Sequence, residues 1–144
     1  MSYKELIDNL KETALKHALI ESFQYGNSVY EANFTDNKYP LLYVMYQPHQ
    51  IDNPINNYSF VFYYIDRLLE DKSNEVDVHN SGLKSLNDVL IDIDLNYDNT
   101  EYKFPTNMTL FVEKFADYCA GVFAEVSIQT YNENNECTTL ENCK

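Results

Sequence analysis

The sequence contains few glycines and a single arginine. Its three glycines, Gly26, Gly82 and Gly121, are too far apart to form a G-x-G-x-x-G or a Walker loop, which excludes the phosphate-binding loops of nucleotide enzymes. Arg67 is the only arginine, and ten basic residues stand against 23 acidic ones, giving a net charge of −13. Because nucleic acids and anionic membranes are bound by clustered cations, this charge argues against those partners.

Cysteines and long hydrophobic runs are also scarce. The three cysteines, Cys119, Cys137 and Cys143, are an odd number, so we expect no disulfide framework. Cys119 precedes the small residues Ala120 and Gly121 in a strand-like segment, and we expect it to be buried like a small hydrophobic residue. No apolar run approaches the ~18 residues of a membrane span. The first residues lack the apolar stretch of a signal peptide, so we expect synthesis in the cytoplasm and no membrane partner.

The strongest metal-like pattern is a run of oxygen-bearing residues at the first, third, fifth and seventh positions of a calcium loop: Asp92, Asp94, Asn96 and Asp98. Tyr97 stands where that loop needs glycine, and Lys103 stands where it needs a bidentate glutamate. None of the three histidines has a partner at metal-binding spacing. The sequence therefore predicts no metal, no cofactor, no catalytic residues and no enzymatic activity.

The length and the hydrophobic periodicity predict one α+β domain. A chain of 144 residues allows one domain of ~100–200 residues, which we assign to residues 1–131, followed by an extended or mobile tail at 132–144. The predicted order is α-β-β-β-α-β-β, a mainly antiparallel sheet with two helices packed on one face. The segments are a helix from Tyr3 to about Ser22 ending near Gly26, strands at 28–35, 39–47 and 57–68, a helix over 76–94 starting near Asn80 or Ser81, a charged loop at 94–103 and two final strands.

Two strands carry the clearest patterns. In the third predicted strand aromatic and aliphatic residues occupy both parities, which predicts a central strand covered on both faces. In the last strand every second residue is small or aliphatic, and we expect these side chains to enter the core: Val122, Ala124, Val126 and Ile128.

Two polar segments are expected to make contacts with other subunits or partners. The segment 48–56 holds two prolines, so we expect a projecting loop and no tight hairpin. The segment 68–80 is charged and has few residues suited to the core. The candidate contact residues are Pro48, Gln50, Asp52 and Pro54 in the first and Asp71, Lys72, Asn74 and Glu75 in the second.

Five blocks of the sequence resemble one family: His17–Asn27, Lys38–Val44, Phe62–Leu68, Leu86–Leu90 and Phe115–Val126. Together they resemble small neck or tail proteins of tailed phages of Bacteroidetes, including crAss-like phages, similar in element order to tail-terminator and tail-completion proteins. The likeness covers about residues 3 to 130 and includes no catalytic motif. It implies a non-enzymatic virion subunit in a closed hexameric or dodecameric ring, in contact with portal, neck or tail proteins and surrounding the DNA channel.

The acidic composition fits that implication and also permits an alternative. An acidic wall repels phosphates, so DNA would pass through such a ring without specific binding. A small acidic inhibitor that mimics DNA and blocks a nucleic-acid-binding enzyme would carry a similar net charge. Acidity can also serve solubility alone.

Overall fold

The computed structural model describes residues 2–32, 38–52, 55–96, 100–103, 107–115 and 117–131. These form two α-helices, one 3-10 turn and a mixed sheet of seven strands, which confirms the α+β class. The predicted tail, 132–144, lies outside the described residues. The elements are α1 (Tyr3–Leu15), β1 (Ser22–Gly26), the 3-10 turn (Val29–Glu31), β2 (Leu41–Tyr46), β3 (Gln50–Asp52), β4 (Ile55–Arg67), α2 (Glu75–Asn96), β5 (Thr100–Lys103), β6 (Met108–Lys114) and β7 (Tyr118–Tyr131).

The two longest strands, β4 and β7, form the centre of the sheet. They are antiparallel over their whole length, from Ile55 opposite Tyr131 to Arg67 opposite Cys119. The main path is β1-β2-β4-β7-β5, with β3 beside β4 and β6 beside β7. Among the described strands only β1 and β2 pair in parallel, so the sheet is mixed.

The first helix is shorter than the sequence predicts. Ser2 and Glu5 form a capping box at its start, and its buried face packs on the sheet. The helix ends at Leu15, so the prediction of a helix to about Ser22, ending near Gly26, was wrong. Residues 22–26 form β1 and pair with β2, which satisfies the backbone hydrogen-bonding groups of both strands. A helix at 22–26 would leave that edge of β2 unpaired. The predicted strand at 28–35 is also wrong in its described part, because the Ser28 hydroxyl caps a 3-10 turn.

Both helices pack on the same face of the sheet, as predicted. Leu6 and Leu10 of α1 and Leu86 and Leu90 of α2 share one buried cluster with the aromatic residues of β4. The four residues predicted to enter the core from the last strand belong to the same cluster, which confirms the register of β7. The second helix begins at Glu75, earlier than the predicted Asn80 or Ser81.

The opposite face of the sheet is covered by a second, smaller cluster. It consists of the buried residues Val29, Leu41, Tyr43, Ile65 and Cys119, with partly buried aromatic residues around it. The prediction that the third predicted strand, now β4, is covered on both faces is therefore confirmed.

Two predicted loops contain strands. Gln50 pairs with Asn57 and Asp52 with Ile55, so the segment 48–56 is a hairpin and not a projecting loop. The prolines do not prevent this pairing because Pro48 precedes β3 and Pro54 follows it; residues 53 and 54 lie outside the described residues. The predicted charged loop at 94–103 contains β5, which pairs with the end of β7. The observed order thus has three strands that the predicted order lacks, β1, β3 and β5, and in the described residues it lacks the strand predicted at 28–35.

Candidate functional site

The two segments predicted to make contacts lie at opposite ends of β4. Pro48 and Gln50 lie at the end marked by Ile55, whereas the segment 68–75 follows Arg67 at the other end. At ~3.3 Å per residue the 13 residues of β4 separate these ends by about 40 Å. The structure therefore does not bring the two segments together. The side chain of Asp52 and the whole of Pro54 lie outside the described residues.

The segment after β4 is a closed turn held by its own side chains. The Asn74 carboxamide accepts a hydrogen bond from the Leu69 N–H at 2.9 Å and donates one to the Arg67 carbonyl at 3.1 Å. Asp71 accepts from the Ser73 N–H at 3.0 Å, and this hydrogen bond lowers the pKa of the Asp71 carboxyl. Lys72 has a φ of 58°, the left-handed conformation that closes the turn. Glu75, the last of the predicted contact residues, opens α2.

Beside this turn lies a cleft of about 550 Å³, lined by Arg67, Leu68, Leu69, Glu70, Lys72, Asp117 and Tyr118. Arg67 pairs with Asp117 at 3.1 Å in this lining, and its guanidinium lies 5.9 Å from the centre of the Tyr39 ring. Two charges of opposite sign thus hold one wall of the cleft in place. The sole arginine of the chain is used here, at the base of the predicted contact segment.

A polar chain leads from this ion pair into the sheet. The Tyr39 hydroxyl donates to Asp117 at 3.3 Å, and the Cys119 thiol donates to the Tyr39 hydroxyl oxygen at 3.7 Å. Burial raises the pKa of the Cys119 thiol, and its side chain has no solvent exposure. A thiol held protonated and inaccessible is not a nucleophile. The prediction that Cys119 is a buried small hydrophobe is confirmed, while Cys137 and Cys143 lie outside the described residues.

Two lysines flank the exposed ring of Tyr118 at the rim of the cleft. The Lys72 ammonium lies 5.4 Å and the Lys114 ammonium 5.5 Å from the ring centre, within cation–π range. Within the described part of the chain neither ammonium has a carboxylate within ion-pair distance. Arg67, Lys72 and Lys114 thus gather at one end of a strongly acidic protein, a cluster that sequence reasoning missed.

The other end of the sheet carries a relay of hydrogen bonds through His49. The Ser59 N–H donates to Nδ1 of His49 at 3.1 Å, so the ring proton of the neutral imidazole is on Nε2. Nε2 then donates to the Tyr3 hydroxyl at 3.1 Å, and the Tyr3 and Tyr25 hydroxyls share a hydrogen bond of 2.7 Å. This relay joins α1, β1 and the segment before β3.

We expect acid to weaken the fold through His49. Burial lowers the pKa of His49, so the unfolded chain takes up its proton near pH ~6.5 while the folded chain resists it. Stability is then fully present above this pH and decreases as the pH falls below it. The melting temperature of His49→Gln should decrease less than that of the wild type between about pH 7.5 and 5.5. His79→Gln is the matched control, and equal pH dependence in the wild type and His49→Gln would contradict the assignment.

Asp66 is expected to destabilise the protein at neutral pH. Burial raises the pKa of its carboxyl, although the carboxylate accepts a hydrogen bond from the Arg67 N–H at 2.8 Å. Asp66→Asn keeps an acceptor of the same shape without the buried charge, so its melting temperature at pH ~7 should exceed that of the wild type. The difference should disappear in acid, where the wild-type carboxyl takes up its proton. Asp8→Asn on the exposed side of α1 should change little; a lower melting temperature for Asp66→Asn would refute this account.

The described residues contain no group of three or more histidine, cysteine or acidic side chains placed to hold a metal ion. Asp92, the first residue of the calcium-like pattern, accepts a hydrogen bond from His17 at 2.9 Å and so links the end of α1 to α2. The other side chains of that pattern lie outside the described residues. In the same part of the chain, no helix is both long and apolar enough to cross a membrane.

A scan against protein-family models found no matching family, and a search of curated proteins found no similar protein. The functional interpretation therefore depends on the resemblance of the five sequence blocks and on the geometry of the two ends of the sheet.

Proposed function

We propose that this chain is a structural subunit of a ring in the neck, or at the tail end, of a tailed phage. The subunit is made in the host cytoplasm, joins the virion and carries out no catalysis. The observation that carries the proposal is the placement of the two contact segments about 40 Å apart, at opposite ends of one rigid sheet. A ring in a phage neck contacts one protein layer above and another below, and a subunit with two separated contact ends suits that position.

Each end presents an isolated aliphatic side chain to solvent. Ile51 lies in the hairpin at one end, and Leu69 lies in the closed turn at the other; both are more than half exposed. Removing such a side chain from water against a neighbouring protein is favourable. These two residues supply one anchor for each neighbouring layer of portal, neck or tail proteins.

The charge of the chain supports a position around DNA. A ring of subunits that each carry −13 repels the phosphate backbone, so DNA slides through the channel without binding. The resemblance implies a hexamer or a dodecamer.

The proposal is tested by placing Ile51→Asp and Leu69→Asp separately in the phage that encodes the chain. Both positions are exposed, so the purified variants should keep the circular dichroism spectrum and melting temperature of the wild type. In particles we expect either variant to leave heads and tails unjoined, or the protein to be lost from the virion. Ile91→Asp, at an exposed position of α2, is the matched control and should assemble normally. Normal particles with both end variants would contradict the proposal.

The DNA-mimic alternative makes a different prediction for purified virions and infected cells. An inhibitor of a nucleic-acid-binding enzyme would be absent from purified virions and would form a stable complex with that enzyme in infected cells. A mimic also needs carboxylates spaced like phosphates along one surface, whereas the acidic residues here are spread over helices, loops and strand ends. Absence from virions together with such a complex would favour the alternative.

A further inference from the structure

One side of the molecule has an apolar surface between α2 and β6. His79 of α2 donates a hydrogen bond from Nε2 to the Phe111 carbonyl of β6 at 3.1 Å, which identifies the side of α2 that is turned to β6. Val76 and Leu83 lie three residues before and four residues after His79, so they share this side of the helix. Their side chains are 76% and 38% exposed.

The strand β6 contributes two more apolar residues to the same surface. Leu110 pairs with Val122 and Val112 with Ala120, and both β7 residues face the helices. Directly opposed residues of an antiparallel pair share a face, so Leu110 and Val112 point to the side that carries α2. They are 48% and 40% exposed. In the described part of the sheet β6 pairs only with β7, so its other edge is open.

Two lysines lie at the end of this surface. Lys114 is the last residue of β6 and pairs with Tyr118. The ammonium groups of Lys114 and Lys72 both lie within cation–π distance of the Tyr118 ring. We call the whole region the α2–β6 surface: Val76, Leu83, Leu110, Val112, Lys72, Lys114 and Tyr118. It combines exposed aliphatic side chains with two ammonium groups that have no carboxylate partner among the described residues.

We propose that the α2–β6 surface binds an acidic surface of a second copy of this chain. Two copies that each carry −13 repel one another, so a stable contact between them must place the few available cations at the interface. The aliphatic residues supply the apolar surface that is buried in the interface, and the lysines form ion pairs with carboxylates of the neighbouring copy. The inference rests on the proposed function, because it names the contact through which copies associate.

The proposed contact joins two different faces of the subunit. The α2–β6 surface of one copy meets an acidic face of the next, and this is a head-to-tail arrangement. Such a contact generates a closed ring or an open filament, whereas a two-fold contact stops at a dimer.

Sedimentation velocity of the full chain over a wide concentration range tests the inference. We expect reversible association that Leu110→Asp and Lys114→Glu each weaken about tenfold or more in Kd. The controls Ile91→Asp and Lys84→Glu make equivalent changes, aliphatic to aspartate and lysine to glutamate, at exposed positions of α2 and should leave association unchanged. Circular dichroism should show that all four variants remain folded.

The possible outcomes separate this inference from the proposed function. A chain that stays monomeric at every soluble concentration, or that associates equally well in all four variants, would overturn the inference. If such a chain is nevertheless found in virions, the proposed function stands and only the named surface is wrong. Association through the α2–β6 surface in a chain that is absent from virions would refute the phage role and leave the inference intact.

Discussion

Val126→Asp is expected to unfold the protein. Val126 is buried in β7, opposite Phe60 of β4, on the face that both helices cover. An aspartate there would bury a charge that has no cationic partner among the core residues around it. The cost of several kcal/mol is a large part of the ~5–15 kcal/mol that stabilises a typical domain. Loss of the cooperative thermal transition, or a large decrease in melting temperature, is the result to measure by circular dichroism.

The control for this variant is Thr109→Asp. Thr109 is exposed on β6, so the same new carboxylate remains in water and should change stability by less than about 0.5 kcal/mol. A Val126→Asp protein that melts at the wild-type temperature would mean that the register of β7 is wrong.

Gly121→Ala should be nearly as damaging, for a steric reason. A Cβ at residue 121 would overlap the carbonyl oxygen of Tyr64 and lie 2.9 Å from the Phe111 ring. The obstacle is backbone of β4, the strand to which β7 is paired at this point, so relief requires the two central strands to separate. We expect a loss of about 3 kcal/mol, at the upper end for overpacking, seen as a lower midpoint in urea with an unchanged m-value.

Gly82→Ala is the matched variant. A Cβ at residue 82 meets side chains, Val122 Cγ2 at 2.8 Å and Tyr64 Cδ1 at 2.9 Å, which can shift more easily than backbone. Alanine is also more favourable than glycine in the interior of a helix such as α2, by about 1 kcal/mol. Gly82→Ala should therefore lose clearly less stability than Gly121→Ala. Equal losses would contradict the steric account of the two central strands.

The central strands were predictable because their burial requires apolar residues at regular positions in the sequence. In β7 one parity must face the helices, which fixes its small and aliphatic residues, and in β4 both faces are covered, so both parities are apolar. The end of α1 was not predictable in this way. In the segment Ser22–Gly26, Phe23 and Tyr25 alternate with polar residues, but this strand pattern is only five residues long and follows a helical pattern directly. The strand forms because β2 offers a parallel edge.

The candidate contact sites needed the structure for a different reason. Lys72 and Lys114 meet only through Tyr118, because β6 and the closed turn both end beside that ring. His49 and Tyr3 lie far apart in sequence and meet where β3 and α1 begin. No spacing rule connects such residues, since the contact depends on the order of strands in the sheet. The hairpin was not predicted because two prolines in a short segment normally indicate a loop. Here both prolines lie outside the paired residues of β3 and β4, and the sequence alone does not show this.

Cryo-electron microscopy of particles of the phage that encodes the chain tests the central claim most directly. The account predicts a closed hexameric or dodecameric ring of this chain around the DNA channel, with the Ile51 and Leu69 ends of each subunit turned to different neighbouring proteins. Particles with intact necks and tails that contain no copy of the chain would contradict the account.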